Sequence, residues 1–278
     1  MGRRWRGKGT GRGLACAAGL EAVEIRCLED RAGWTEPVVE TTHRVFIARS
    51  GGYLRRLNGV STFVDATNVL VTRPGDEIRM AHPLGGGDTG TVVELTGDFV
   101  ARLDEEGSPL PAGELRLDDR LDLQHRALVA ASRAGLDSFT AVDGLLSLLD
   151  ELSRLRGAPA QRRRAATLLA HRRLVDQARQ ALLAGRLAVG LDPLATAVGC
   201  SPHHLSRVFR LVTGESLSTY RNRLRVRAVL SDLQDGADSL RALAAEYGFA
   251  DQAHLTRVVR RQLGRSPSEV RRLVTVPN

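Results

Sequence analysis

The chain is poor in aromatic residues, lysine, cysteine and long hydrophobic runs. Aromatic side chains make up 4% of its 278 residues, so its cores must consist mainly of leucine, valine and alanine. The three cysteines form an odd set without close spacing, which argues against a disulfide framework and is typical of a reducing compartment. No apolar run approaches the ~20 residues of a membrane-spanning helix. We therefore expect a cytoplasmic protein that does not enter a membrane.

Basic and acidic residues are distributed unevenly along the chain. Residues 14–158 carry 15 arginines against 23 acids, a net charge of −8, whereas residues 159–278 carry 20 arginines against 9 acids, a net charge of +11. Positive charge at this density in one region indicates contact with nucleic-acid phosphates. Residues 1–20 begin with a basic, glycine-rich stretch, and we expect them to form a disordered tail.

Residues 21–117 have the pattern of a β-domain. Short apolar runs are separated there by Gly, Pro, Asn and Asp, and Asn58-Gly59 supplies the positive φ angles of a type I′ hairpin turn. Several short strands at regular spacing predict a small antiparallel β-barrel or sandwich. A barrel of this kind can hold one small ligand.

Residues 118–170 have a helical pattern and are expected to form a connector. One helix is predicted to end near Gly135, and a second has Ser138 as its expected N-cap. A third helix, rich in arginine, is predicted from Gln161 to Leu183. The leucine stripe of the second helix must be buried, either in the core or in a subunit interface.

The last hundred residues contain a repeat, with an offset of 49 residues up to its central glycine and 50 after it. Each copy is predicted to be a short helix, a glycine-containing turn and a second helix, with one extra residue in the second turn. This is the pattern of a helix-turn-helix unit. Residues 171–278 are therefore interpreted as an all-α tandem helix-turn-helix domain that binds DNA. The repeated positions are Leu194, Gly199, Leu205, Arg207 and Gly214, then Leu243, Gly248, Leu255, Arg257 and Gly264.

The second helix of each unit supplies the candidate DNA-binding side chains. Asp192 and Ser201 are expected to cap the two helices of the first unit, and Asp251 the second helix of the second unit. Outward residues near the start of such a helix reach base edges in the major groove. A long helix from Ser216 to Gln234, with alternating arginines, is predicted to fix the spacing of the units. The candidates are His203, Ser206, Arg207, Arg210, Gln252, Ala253, His254, Thr256 and Arg257.

Spaced motifs run through residues 191–273, and together they resemble the AraC/XylS-type transcriptional regulators. The resemblance implies a seven-helix DNA-binding domain with two reading heads, more often in an activator than in a repressor. It also implies that the candidates above, apart from Arg210, are base readers. The motifs are Ser201-x-x-x-Leu205-x-Arg207-x-Phe209, Thr213-Gly214-Glu215-Ser216, Tyr220-x-x-Arg223-Leu224, Ala244-x-x-x-Gly248-Phe249-x-Asp251, Leu255-x-Arg257 and Gly264-x-Ser266-Pro267.

The sequence departs from the family pattern at Ser231, where leucine is usual, and at Val259, where phenylalanine is usual. These departures predict altered packing of the linker helix and a looser second unit. Many members of the family carry a cupin-like barrel that binds an effector or mediates dimers. Residues 21–117 are similar to it through Arg73-Pro74-Gly75 and His82-Pro83.

Metal binding and catalysis are the alternatives to a regulatory role. His43 and His82, with Glu40 or Asp88 nearby in sequence, offer ligands, but the closely spaced His pair and Glu of a metal-bearing cupin are absent. The glycine-rich stretch 85–90 lacks the Lys-Ser/Thr of a phosphate-binding loop and is predicted to be a hairpin loop. We expect no metal, no cofactor and no catalytic residues.

The sequence as a whole predicts an α+β protein with a cupin-like antiparallel barrel, a helical connector and a tandem helix-turn-helix domain. The expected function is sequence-specific regulation of transcription, with double-stranded promoter DNA and RNA polymerase as partners. A homodimer and a small-molecule effector are also expected. The alternatives are a cupin-type enzyme fused to a DNA-binding domain and a ligand-independent dimeric regulator.

Overall fold

A computed structural model describes residues 9–155, 165–185 and 187–275. The described strands are β1 (Gly9–Ala17), β2 (Leu20–Cys27), β3 (Val38–Val39), β4 (His43–Leu57), β5 (Val60–Asp65), β6 (Asn68–Thr72), β7 (Glu77–Ala81), β8 (Asp88–Leu95) and β9 (Gly113–Arg116). The described helices are α1 (Gly97–Glu105), α2 (Asp119–Arg133), α3 (Ser138–Ser153), α4 (Ala165–Ala184), α5 (Leu191–Ala197), α6 (Pro202–Thr213), α7 (Leu217–Gln234), α8 (Leu240–Glu246), α9 (Gln252–Leu263) and α10 (Pro267–Val274).

The strands form an antiparallel sheet that folds over on itself without closing. Its main path runs β1-β2-β8-β4-β6-β9. The first part of β4 pairs with β6 and β8, and its second part, from Gly52 onward, pairs with β5 and β7. A bulge between Ala48 and Ser50 bends the strand where it passes from one set of partners to the other. The predicted cupin-like antiparallel sheet is therefore confirmed, but its barrel is open rather than closed.

The predicted hairpin at Asn58-Gly59 is confirmed. Asn58 has φ 48° and Gly59 has φ 84°, and Leu57 pairs with Val60 across the two-residue turn. The glycine-rich stretch 85–90 is not the predicted hairpin loop. It leads from β7 into β8, but these strands pair with different parts of β4 rather than with each other, and residues 88–90 belong to β8.

Two expectations for the N-terminal region are wrong. Residues 9–17 are not a disordered tail: they form β1, which pairs with β2 from Gly9 opposite Cys27 to Ala17 opposite Leu20. Residues 1–8 lie outside the described residues. The second expectation was that residues 21–117 contain only strands, but between β8 and β9 the chain forms helix α1. Thr96 stabilises the start of this helix, since its Oγ1 accepts a hydrogen bond from the Phe99 amide at 3.3 Å.

Helices α2 and α3 close one side of the sheet. The buried leucines of α3 join Val45, Val69 and Val93 of the sheet in one core, so the leucine stripe packs mainly inside the protein. The cap of α3 is Asp137 rather than the expected Ser138, since the Thr140 amide donates to Asp137 Oδ1 at 3.0 Å. The α3 leucines are Leu145, Leu148, Leu149 and Leu152.

Helices α4 to α10 form the implied seven-helix region within the described residues. One core gathers α4 to α6 and the start of α7, and a second gathers the rest of α7 with α8 to α10. Helix α7 belongs to both cores, and its 18 residues span about 27 Å. The long helix predicted between the units is therefore confirmed. In the described part of the chain, no helix is long and apolar enough to cross a membrane.

Candidate nucleic-acid interface

The two helix-turn-helix units have matching turns. Gly199 and Gly248 have φ angles of 70° and 67°, in the left-handed region that favours glycine. Residues 198–201 separate the helices of the first unit and residues 247–251 those of the second, so the extra residue in the second turn is confirmed. Both second helices end at a left-handed glycine, Gly214 and Gly264.

Side-chain caps orient the start of each second helix. Ser201 Oγ accepts from the His204 amide at 3.2 Å, and Asp251 Oδ1 accepts from the His254 amide at 2.6 Å, as the sequence predicts. The first helix of the first unit is different. Its N-cap is Gly190, with no side-chain hydrogen bond, so the expected cap at Asp192 is wrong because Asp192 already lies inside α5.

All four candidates of the first unit point away from its core. His203, Ser206, Arg207 and Arg210 are exposed on α6, while Leu205, Val208 and Phe209 fill the opposite face. The pattern follows from the helical period, which places residues 203, 206, 207 and 210 on one side. The α6 surface therefore offers the arginine and histidine donors that base edges and phosphates accept.

The candidates of the second unit are less uniform. Gln252, Ala253 and Arg257 are exposed on α9, whereas His254 and Thr256 are half-buried. The His254 ring turns back onto the interhelical turn: it meets the Phe249 ring edge-on at 5.6 Å between centroids, and its Nδ1 accepts from the Ala250 amide at 3.2 Å. This contact supports the longer turn, and it leaves Nε2 as the ring atom for an outside partner.

The buried face of α9 is filled despite the smaller residue at 259. Val259 is 1% exposed, and the turn residue Phe249 enters the same core. The core around Val259 is therefore closed to solvent, with the Phe249 ring as one of its members.

Arginine is abundant on the outer surface of this helical region. Neither Arg207 nor Arg257 forms an ion pair with another described residue, so both guanidinium groups are available to a partner. The exposed arginines among the described residues after 165 are Arg172, Arg173, Arg207, Arg210, Arg241, Arg257, Arg260, Arg261, Arg265 and Arg272.

The arginines of α7 are used differently, and the sequence did not reveal this. Arg225 and Arg227 are 4% and 1% exposed. Arg227 Nη2 donates to the Leu117 carbonyl at 2.7 Å, and Nη1 donates to the Ala66 carbonyl. Arg223 pairs with Asp119 at 3.0 Å. Arg223 and Arg227 attach α7 to the N-terminal half of the protein, whereas Arg225 Nε donates to the Leu187 carbonyl at 2.9 Å within the helical region. None of the three is exposed on the outer surface.

A buried cluster around Asp65 makes a second connection between the halves. Asp65 accepts hydrogen bonds from Arg179 Nε at 2.9 Å, from the Tyr220 hydroxyl and from the Thr67 amide at 2.8 Å. Burial alone would raise the pKa of Asp65, but the charge of Arg179 and these hydrogen bonds hold that pKa below its ordinary value. The carboxylate therefore stays ionised and links β5 to α4 and α7.

A third buried cluster explains the serine at position 231. Arg126, on α2, donates to Asp122 at 3.0 Å, to Ser231 Oγ at 3.0 Å and to the Arg49 carbonyl at 2.7 Å. Leucine at 231 would offer no acceptor to this guanidinium. The expected disturbance of the linker helix is not observed: α7 is continuous, and Ser231 bonds to the N-terminal half.

A cleft of about 340 Å³ lies where the sheet meets α2 and α7. Arg12 and Arg26 contribute from β1 and β2, and Ser231 and Gln234 contribute from α7. At its base, Glu24 accepts from Arg133 Nε at 2.9 Å and from Arg49. Burial raises the pKa of Glu24, but these two arginines more than offset that effect and lower it overall.

The residues considered for a metal site are only partly brought together. Glu40 forms an ion pair with Arg44 at 2.8 Å instead of joining a ligand set. His82 and Asp88 do come together, 3.0 Å apart, and the third member of their group is Cys27. No local sequence pattern marks Cys27 as a member of this group, because strand pairing places it there.

Comparison with known proteins identifies the helical region. A family model for a helix-turn-helix domain matches residues 194–273. The probable transcription factor PqrA of Proteus vulgaris is 30% identical over 90 residues, which cover 32% of this chain and 74% of that protein. The regulatory protein SoxS of Escherichia coli is 31% identical over 83 residues, which cover 30% of this chain and 78% of that protein.

A likeness to solved structures extends over more of the chain but is distant. ToxT from Vibrio cholerae, bound to (E)-4-(8-methylnaphthalen-1-yl)but-3-enoic acid, covers 92% of this chain and 100% of its own, with 12% identity and a TM-score of 0.36. An AraC-type regulator from Chromobacterium violaceum covers 39% of this chain and 98% of its own, with 24% identity and a TM-score of 0.36.

Proposed function

This chain belongs to the AraC/XylS family of DNA-binding transcriptional regulators, and on that premise we propose how it reads its promoter. Helices α6 and α9 enter two adjacent segments of the major groove of double-stranded promoter DNA. The observation that carries this proposal is the outward placement of Arg207 and Arg257 at matching positions of two capped second helices. Arginine at such a position can bind guanine O6 and N7 through two hydrogen bonds.

Each second helix carries a different set of side chains. His203, Ser206, Arg207 and Arg210 serve the first half of the DNA site, and Gln252, Ala253, His254, Thr256 and Arg257 serve the second. Glutamine can pair with adenine, and the Ala253 methyl group can contact a thymine methyl group. His254 contributes through Nε2, because its Nδ1 is held by the turn.

A binding selection from randomised duplexes tests this assignment. We expect an enriched motif with two parts separated by about one helical turn, since α7 is a rigid connection of fixed length. The same selection is repeated with the double variant Arg207→Ala and Arg257→Ala. This variant should enrich a weaker motif that has lost one base-pair preference in each part. A motif identical to that of the unaltered chain would contradict the assignment of these two arginines.

The cleft between the sheet, α2 and α7 is the proposed site of a small-molecule effector. It is lined by both halves of the protein, so a ligand there would contact Ser231 and Gln234 on the helix that joins the reading heads. Arg12 and Arg26 on its rim favour an anionic ligand. We expect carboxylate or phosphate metabolites to change DNA affinity in the unaltered chain and not in Arg26→Glu. If no metabolite fraction alters DNA affinity, the ligand-independent regulator becomes the better description.

The outer side of α3 is the proposed homodimer surface. Phe139 is 84% exposed and Leu146 is 37% exposed, and Val142 lies between them at helical spacing. A large exposed aromatic residue within an apolar stripe is typical of an interaction site. Sedimentation should give a dimer for the unaltered chain and for Ser147→Glu, and a monomer for Phe139→Glu. A monomer in all three cases would contradict this surface.

Activation through RNA polymerase and a cytoplasmic location complete the proposal. We assign no enzymatic activity. A promoter fusion assayed with and without the protein tests for activation, and a fall in transcription would indicate a repressor.

A further inference from the structure

Three side chains with metal-binding atoms converge inside the N-terminal sheet. Cys27 ends β2, Asp88 begins β8, and His82 directly follows β7. His82 Nε2 lies 3.0 Å from Asp88 Oδ2 and 3.9 Å from Cys27 Sγ, and the three atoms all lie within 4.8 Å of one another. The exposed fractions of Cys27, His82 and Asp88 are 7%, 2% and 7%. The cluster is thus a compact, buried set of one sulfur, one nitrogen and one oxygen.

Strand pairing brings these residues together. Cys27 and Asp88 are directly opposite each other in the antiparallel β2–β8 pair, so their side chains leave the sheet on the same face. The two residues lie far apart in sequence, and His82 is 55 residues from Cys27. This spacing explains why the sequence predicted no metal site.

The arrangement does not fit a catalytic relay. In a nucleophile–histidine–acid relay, the two ring nitrogens of the histidine face different partners. Here the single atom Nε2 faces both the thiol and the carboxylate, whereas His82 Nδ1 has no hydrogen-bond partner in the described part of the chain. One nitrogen cannot donate a proton to two acceptors at full strength. A cation placed between the three atoms can contact all of them.

The distances are close to those of a tetrahedral zinc site. Zinc ligands lie at about 2.0–2.1 Å for nitrogen, about 2.3 Å for sulfur and about 2.0–2.2 Å for oxygen. Tetrahedral angles then separate a nitrogen ligand from oxygen or sulfur by about 3.4–3.6 Å. The observed separations from His82 Nε2, 3.0 Å to Asp88 Oδ2 and 3.9 Å to Cys27 Sγ, bracket these values. Metal binding therefore requires shifts of a few tenths of an ångström in these two pairs, with Cys27 Sγ and Asp88 drawn together from within 4.8 Å.

The backbone around the cluster is closely packed and holds it in shape. Gly87 has φ 67°, and a Cβ atom there would lie 1.9 Å from the Cys27 carbonyl oxygen. Gly51 has φ 78°, and a Cβ atom there would lie 2.4 Å from the Gly87 carbonyl oxygen. The Tyr53 ring stacks on His82 with 5.3 Å between centroids. Glycine at positions 51 and 87 therefore lets β2, β4 and β8 approach closely enough to bring the three candidate ligands together.

We propose that Cys27, His82 and Asp88 bind a divalent transition metal ion of the zinc class, with a fourth position for water or a small ligand. A thiolate and a carboxylate together neutralise a dication, which lowers the cost of burying these charges. Sulfur and nitrogen ligands select zinc-class ions over magnesium and calcium, which prefer oxygen ligands. The bound ion joins the end of β2 to the start of β8 and to the residue that follows β7, on the sheet that contacts α7.

Cobalt titration of the full chain tests the proposal, because Co²⁺ bound to a thiolate gives a ligand-to-metal charge-transfer band. The chain is stripped with a chelator, and Co²⁺ and then Zn²⁺ are added. The key variant is Cys27→Ser. The matched control is the double variant Cys16→Ser with Cys200→Ser, which keeps Cys27 as the only thiol and alters no proposed ligand.

The double variant and the unaltered chain should each bind one equivalent of Zn²⁺ and show the Co²⁺–thiolate band. Cys27→Ser should lose that band, and its zinc affinity should fall about tenfold or more. Asp88→Asn keeps the side-chain shape and should weaken zinc binding while the band remains detectable at high Co²⁺. Absence of the band from the double variant would overturn the proposal, as would an undiminished band in Cys27→Ser. If Cys27→Ser fails to fold, the band and zinc stoichiometry of the double variant and Asp88→Asn decide the matter.

Discussion

Helix α7 and the second helices of the two units, α6 and α9, all carry several arginines but use them in opposite ways. On α7, Arg225 and Arg227 are buried and Arg223 is paired with an acid of α2. On α6 and α9, Arg207 and Arg257 are exposed and form no ion pair among the described residues. The same residue type thus holds the two halves of the protein together in one region and remains available to DNA in the other.

The difference shows that a regional net charge does not measure a DNA-binding surface. Part of the positive charge of residues 159–278 is paired inside the protein with carboxylates from the acidic half, including Asp65 and Asp119. The charge asymmetry along the sequence therefore describes two features. One is an internal interface of buried ion pairs, and the other is an outer arginine surface.

The largest expected effect comes from an inward arginine. Arg227→Ala should lower the free energy of unfolding by about 3–5 kcal/mol, because it leaves the buried carbonyl groups of Ala66 and Leu117 without their donor. It also leaves Asp122 with Arg126 as its remaining cationic partner. Urea unfolding measures this loss. The control is Arg261→Ala on the exposed face of α9, which should change stability by less than about 0.5 kcal/mol. Equal losses in the two variants would erase the distinction between inward and outward arginines.

Arg207→Ala should produce the reverse pattern. Stability should stay nearly constant, while binding to the selected DNA site should weaken by about 1–3 kcal/mol and lose its preference at one base pair. Fluorescence anisotropy with the selected site and with single-base variants measures both quantities. If binding to cognate and scrambled DNA fell by the same factor, Arg207 would be a phosphate contact rather than a base reader.

Arg257→Ala should have a similar but smaller effect on DNA affinity than Arg207→Ala. The reason is the longer turn of the second unit, with Val259 in place of an aromatic residue, which holds α9 less firmly. Side-by-side titrations on the same duplex provide the measurement. A greater loss from Arg257→Ala would show that the Phe249–His254 contact compensates fully, and it would make the second unit the tighter reader.

The smallest expected effect is the pH dependence of stability caused by Asp176, on the inward surface of α4. Burial raises the pKa of Asp176 to about 6, although the charge of Arg179 opposes this. The folded protein therefore takes up a proton near pH 6 that the unfolded chain takes up only near pH 4. This group stabilises the fold as the pH falls from 7 to 5, and Asp176→Asn should lack that gain. Urea midpoints at both pH values compare the two proteins, and an equal change in each would rule out this role of Asp176.

Much of the helical region could be predicted because its signals are local. Ser201, Asp251, Gly199 and Gly248 act on backbone atoms within a few residues, and the apolar period places Arg207 on the outer face. The structure of the N-terminal region was harder to predict from the sequence. Strand β1 contains three glycines and has little strand propensity of its own, and it is stabilised by its pairing with β2, which local sequence patterns do not reveal.

The sequence by itself determined the tandem helix-turn-helix units, the type I′ hairpin and the outward positions of Arg207 and Arg257, two of the candidate DNA-binding side chains. These features depend on helical period, capping and the conformational freedom of glycine, which act over short distances along the chain. Only the tertiary structure decided which arginines are buried, why Ser231 suits its helix and that Cys27 meets His82 and Asp88. Those outcomes depend on pairings between residues that are distant in sequence, and the free energy of burying a charge is set by whichever partner the fold places beside it.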